Sequence, residues 1–198
     1  MNYPEYVKID GEKYKINTDF RVAIECNKIA QDETLEDIDR VFAIIFKLYG
    51  EKGLRDLDNH EELMEYAKKF LTCGEGLKET NEKPDMDYIE DYGYIWASMY
   101  SDYNGLDIDK EHIHWWKFNK LMEGLSNSEM GNCCVLNRIR NLRNYDMKDI
   151  KDIKERQKIL KAKEMVALKK DLKPKQKPTE EQLNNAKEFL NALGYGGE

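Results

Sequence analysis

Three groups of residues in this chain have types and spacings that invite chemistry: Glu111 with His112 and His114, the adjacent thiols Cys133 and Cys134, and the acidic run from Tyr100 to Glu111. A helix turns about 200° between residues i and i+2, so His112 and His114 diverge unless their segment is extended. No third ligand follows at helical spacing, and capping or hydrogen bonding is the expected use of both rings. Tested as a calcium loop, the acidic run places Asp102 third, Asn104 fifth, Gly105 sixth and Glu111 twelfth. The first place then falls on Tyr100, where a carboxylate is needed, and the eighth on Asp107, where an apolar residue packs, so the match fails. Cys133 and Cys134 lie in a segment that reads as helix, with no histidine partner. Gly74-Glu75-Gly76 lacks both the Lys-Ser/Thr and the preceding strand of a phosphate cradle. The expectation is a protein without catalysis, metal or cofactor.

Stepping outward, the elements read as mainly helical. Tyr6-Val7-Lys8-Ile9, Asp10-Gly11 and Lys13-Tyr14-Lys15-Ile16 form a hairpin signal over residues 1–17, which must pack on helices or on a partner's strand because a lone hairpin is marginal. Thr18 or Asp19 caps a helix through Gln31. A second runs from Leu35 to Tyr49 with Ile38, Val41, Phe42, Ile45 and Leu48 inward, stopped by Gly50. A third spans Asn59 to Cys73, and residues 74–85 read as a surface loop. Ile89, Tyr92, Trp96, Met99 and Tyr103 share one stripe. A partner helix from His112 to Leu125 follows the Asn104-Gly105 turn, and another runs from Ser128 to Asn141. The helical core is thus expected over 18–145. A protruding basic extension over 146–198 contains a linker at 171–178 and a last short helix.

Charge divides along the same line. Residues 1–137 hold 16 Lys+Arg against 29 Asp+Glu, whereas residues 138–198 hold 16 against 10. An acidic body and basic tail point to different partners, or to attraction between the two. Lysine runs favour phosphate contacts, but the acidic body and a tail with Tyr145 as its one aromatic between residues 142 and 188 argue against nucleic acid. No stretch is long and apolar enough to span a bilayer, the N-terminus lacks a signal-peptide layout, and four cysteines without framework spacing suit a reducing cytosol.

The aromatic residues are the remaining signal. Trp96, Trp115 and Phe118 read as core. Trp116 points roughly 100° away from Trp115, toward His112, Ile113 and Lys120; this second face either packs on the N-terminal helices or is left for a partner, and these four are the candidate partner-binding residues. On this reading Trp116→Ala weakens partner binding more than folding, and Trp115→Ala mainly destabilises.

The stretch DYGYIWASMYSDYNGLDIDKEHIHWWKFNKLMEGL, residues 91–125, resembles a family of tailed-bacteriophage proteins encoded near the tape measure gene. Asp91, Ile95, Ala97, Asp102 and Tyr103 match its helix and turn. His114, Trp115, Trp116, Lys117, Phe118, Leu121, Gly124 and Leu125 match its H-W-W-K-F-x-x-L-x-x-G-L run, and Asp19 to Arg21 fits the N-terminal part. The resemblance implies a tail assembly chaperone in the host bacterial cytoplasm, absent from the mature virion. It implies binding to the tape measure protein, with the major tail tube protein as a further candidate; a second copy of the chain is a candidate partner apart from the resemblance. The alternatives are a tail or connector component retained in the particle and a nucleic-acid-binding regulator. The long basic extension departs from the usual form.

Overall fold

The computed structural model describes residues 3–76, 84–127, 133–148 and 150–169. The chain divides into one compact unit, Met1–Val166, and a second, Ala167–Glu198, of which only 167–169 are described. The predicted linker and last helix lie outside the described residues.

The first unit opens with an antiparallel hairpin, β1 (Tyr6–Ile9) and β2 (Glu12–Lys15), in the register Val7 opposite Tyr14. Its turn has positive φ at both Asp10 and Gly11, the conformation that matches strand twist in a two-residue hairpin. Alternation then sends Val7, Ile9, Tyr14 and Ile16 into the core, which supplies the support a lone hairpin lacks. The Tyr14 hydroxyl donates to Asp56, and Asn17 N–H donates to Leu48 O at 2.7 Å, fixing the hairpin to the helices.

Seven helices follow among the described residues: α1 (Phe20–Ala30), α2 (Asp37–Arg55), α3 (His60–Leu71), α4 (Tyr92–Asp102), α5 (Trp115–Glu123), α6 (Val135–Asn144) and α7 (Ile153–Val166). They pack in a chain of neighbours: α3 on α2, α2 on α1, α1 on α5, α5 on α4, α4 on α6 and α6 on α7. The fold is mainly α with a two-stranded N-terminal hairpin, as the sequence predicts.

Several boundaries differ from expectation. Gly50 kinks α2 instead of ending it: with φ 68° and ψ −161° it absorbs a non-helical turn, and the helix resumes to Arg55. On α2 the buried face is Ile44, Ile45, Leu48 and Tyr49, leaving Ile38 at the surface. On α4 the buried face is Ile95, Ser98 and Met99, and Ile89 lies before the helix, half exposed. The stripe is rotated because Tyr92 and Trp96 carry polar tips. Tyr92 donates to Asp109 at 2.7 Å and Trp96 to Asp107 at 3.1 Å, both at the solvent edge. Ser98 can instead be buried because its hydroxyl donates to Tyr94 O and accepts Leu136 N–H at 3.0 Å. Helix α6 starts at Val135, capped by Cys134 Sγ, which accepts Asn137 N–H; of the segment predicted to precede it, 128–132 fall outside the described residues.

Candidate functional site

The H-W-W-K-F run begins outside its helix. Residues 112–114 are not helical, because they pair with the approach to α1: Phe20 N–H donates to Ile113 O at 3.0 Å, and Trp115 N–H donates to Thr18 O at 2.8 Å. Two helix starts are thereby tied side by side, and α5 begins three residues later than the periodicity suggests. His114 is its cap. Nδ1 accepts the Trp116 amide N–H at 3.1 Å, so the ring proton must reside on Nε2, which donates to Pro4 O at 3.0 Å. One imidazole therefore ends a helix and holds the N-terminal segment. Tyr3 stacks on it at 4.9 Å and Phe70 meets it edge-on at 5.6 Å.

The two tryptophans read consecutive carbonyls. Trp115 Nε1–H donates to Leu71 O at 3.0 Å and Trp116 Nε1–H donates to Phe70 O at 2.8 Å. Both carbonyls belong to the last turn of α3, beyond the reach of the regular helical ladder, and Phe70 O also accepts the Cys73 N–H at 3.1 Å. Trp115 is buried, stacked with Phe118, whose ring stacks on Phe20 at 4.2 Å. Trp116 is half-buried over Gly74, where a Cβ would stand 3.2 Å from the indole and φ is +80°. The sequence leaves Trp116 either packed on the N-terminal helices or turned to a partner; the fold ties its indole N–H to α3.

Beside Trp116 lies an open cleft of ≈ 860 Å³, lined by Tyr3, Pro4, Tyr6, His112, Trp116 and Lys117 among others. Of the four candidate partner residues, His112 and Trp116 line this cleft. Ile113 does not: it is 3% exposed, because the pairing with Phe20 turns its side chain into the core, and it is corrected from a surface residue to a core residue. Lys120 is exposed and bonded to Glu123 at 2.8 Å, and it is not among the residues lining the cleft.

The rest of the motif is mostly structural. Leu125 is buried and Leu121 half-buried, its carbonyl accepting from Tyr103 Oη at 2.7 Å. Gly124 is needed because an added Cβ would lie 2.7 Å from that same hydroxyl oxygen. Lys117 is exposed, and Trp96 sits half-buried at the solvent edge, stacked on Tyr100.

A model of the family described as Bacteriophage Gp15 protein matches residues 2–168. The chain belongs to that family. Comparison with curated proteins and with solved structures gives no match. In this member of the bacteriophage Gp15 family, the matched stretch takes in the hairpin, the tryptophan pair and all seven helices.

Two fastenings of the Gp15-family chain escaped sequence reading. Arg21 grips Asp19 through Nε and Nη2, each at 2.8 Å, and donates to Asp109 O at 2.9 Å and Glu111 O at 3.0 Å, closing the acidic loop onto α1. Burial pushes the Asp19 carboxyl up, but its bonds from the Arg21 side chain and amide outweigh that and hold it below the usual range. The second is a buried pair. Arg143 Nη1 and Nη2 meet the Asp91 oxygens at 2.7 Å each, with the carboxylate 1% and the guanidinium 10% exposed. The spacing of Asp19 and Arg21 is a local signal that could have been found; Asp91 and Arg143 are too far apart in sequence to suggest each other.

Among the described residues no group of three His, Cys, Asp or Glu could hold a metal. Asp107 and Asp109 serve Trp96, Lys110 and Tyr92. The four thiols are free, and burial pushes Cys26 up to about 12 and Cys73 to about 11, away from the thiolate form. No helix among the described residues is long and apolar enough to cross a membrane.

Proposed function

We propose that this chain is a non-enzymatic tail assembly chaperone, which holds the tape measure protein in the host cytoplasm while the tail is built and is absent from the finished virion. Family membership supports a place among bacteriophage proteins, and the His114 to Leu125 run carries the resemblance to tail assembly chaperones. The observation that carries the reading is the open cleft beside Trp116. Tyr3, Tyr6 and Trp116 offer apolar faces to a client side chain, and His112 and Lys117 stand ready for its polar groups. A half-buried tryptophan whose N–H is already bonded is a preformed contact face that costs little ordering on binding.

The test is co-expression with the tape measure protein of the same phage, followed by affinity capture through the tape measure. Retention of the chain, lost when Tyr6 and Lys117 are both changed to alanine, is the expected result; both residues are exposed, so the fold survives. No co-purification in either direction overturns the reading. Mass spectrometry of purified virions supplies the second arm, since abundant copies in mature tails identify a structural component instead. A tail tube subunit as competing partner predicts that adding it releases the captured chain.

A further inference from the structure

Helix α2 carries an apolar ridge that its own unit leaves uncovered. Ile38, Phe42 and Phe46 recur at four-residue steps, the row that forms a packing ridge on a helix. Ile38 is 51% and Phe46 47% exposed, and Phe42 is only partly covered, by an edge contact with His60 at 5.4 Å. The ridge has acidic surroundings. Exposed Glu36, the N-cap residue of α2, and exposed Asp39 lie to one side of it without ion-pair partners among the described residues, and exposed Glu61 and Glu62 follow His60 in the first turn of α3.

Helix α7 has the complementary face. Ile159, Ala162, Lys163 and Val166 are its least exposed residues and lie toward α6, on which it packs. Ile153 and Leu160, seven residues apart, share another face, turned roughly 120° from it and 73% and 40% exposed. Lys154, Lys158 and Lys161 accompany them, exposed and without ion-pair partners among the described residues. The lengths also agree: α7 and the straight part of α2 before Gly50 each run about 20 Å at 1.5 Å per residue.

We infer that α7 of one copy seats on the α2 ridge of a second copy. Ile153 and Leu160 pack against Ile38 and Phe42, and Lys154 and Lys161 face Glu36 and Asp39. Within one copy α7 does not pack on α2, because the two are separated by α1, α5, α4 and α6 in the succession of packed helices. The contact is therefore heterologous and every copy can repeat it. It is independent of the cleft beside Trp116, so its failure leaves the chaperone reading untouched.

The test is the mass of the full-length chain by light scattering across concentration. At low salt the mass should rise above the 23.4 kDa of one copy and fall back as salt screens the charges. Leu160→Asp with Ile153→Asp should weaken association about tenfold or more with unchanged melting, since both residues are exposed. Two charge-reversed chains decide the partner faces. One carries Glu36→Lys and Asp39→Lys, the other Lys154→Glu and Lys161→Glu. Each alone should stay at the mass of one copy, and their mixture should associate again. A single-copy mass at every concentration in low salt overturns the inference. So does association that neither pair of substitutions alters, or a mixture that fails to associate.

Discussion

At the start of α5 each side-chain bond joins a neutral ring to a backbone group: His114 to Pro4 O and to the Trp116 N–H, Trp115 to Leu71 O, Trp116 to Phe70 O. At the junction of α4, α6 and α7, one guanidinium gathers four bonds. Arg143 holds Asp91 and also donates to Asp85 O at 2.8 Å and Val166 O at 2.6 Å. The first arrangement spreads its stability over several modest neutral bonds, so losing one leaves the rest. The second concentrates it, because an unpaired buried charge costs far more than a neutral bond contributes.

The comparison is most exposed to Arg143→Met. This change strands the Asp91 carboxylate in the core and should cost roughly 3–5 kcal/mol in denaturant unfolding. Adding Asp91→Leu should recover a large part of that loss; no recovery would mean that the backbone bonds of Arg143, not the ion pair, dominate the junction.

On the aromatic side, Trp115→Ala should lose a comparable 3–5 kcal/mol as a core truncation, whereas Trp116→Phe should lose only about 1 kcal/mol, the worth of one neutral hydrogen bond. Equal losses from the two would show that Trp116 is as much core as Trp115. Gly124→Ala sharpens the local picture with an intermediate loss of about 1–3 kcal/mol, as the new methyl group displaces the Tyr103 hydroxyl. Tyr103→Phe in the same chain should restore part of it, because the obstructing oxygen is then gone.

The smallest effect concerns pH at the Asp19–Arg21 grip. The Asp19 carboxyl titrates lower folded than unfolded, so its contribution is present above the ordinary aspartate range near pH 4 and fades as pH falls through the depressed folded value. Melting temperature followed downward from neutral pH should fall more in the natural chain than in Asp19→Asn, which lacks that titration. Parallel curves would show that Arg21 is held by the Asp109 and Glu111 carbonyls alone.

Much of the architecture was legible because it depends on local pattern. Asp10-Gly11 names its turn, and α3 announces its core through three- and four-residue steps, whereas on α2 the same steps found Ile45 and Leu48 but also claimed the exposed Ile38. The candidate site was legible only in part. Composition marks Trp116 as unusual, and Trp115, Phe118 and Leu125 are core as read. Ile113 was misplaced because helical periodicity was carried three residues too far, into a segment held non-helical by pairing with Thr18 and Phe20. On α4 the polar tips of Tyr92 and Trp96 find acids from a later loop, which rotates the helix away from its most aromatic stripe.

The amino-acid sequence by itself determined the helical class, the hairpin turn, the acidic body with its basic tail, and a motif specific enough to point to a phage family. Those properties rest on neighbours along the chain, where propensity, periodicity and composition act. Only the tertiary structure decided which side chains meet across distance. It put two consecutive indoles on two consecutive carbonyls of α3, gave His114 its single tautomer, and buried Asp91 beside Arg143. Such bonds depend on the mutual placement of whole helices, and no spacing within one helix encodes that placement.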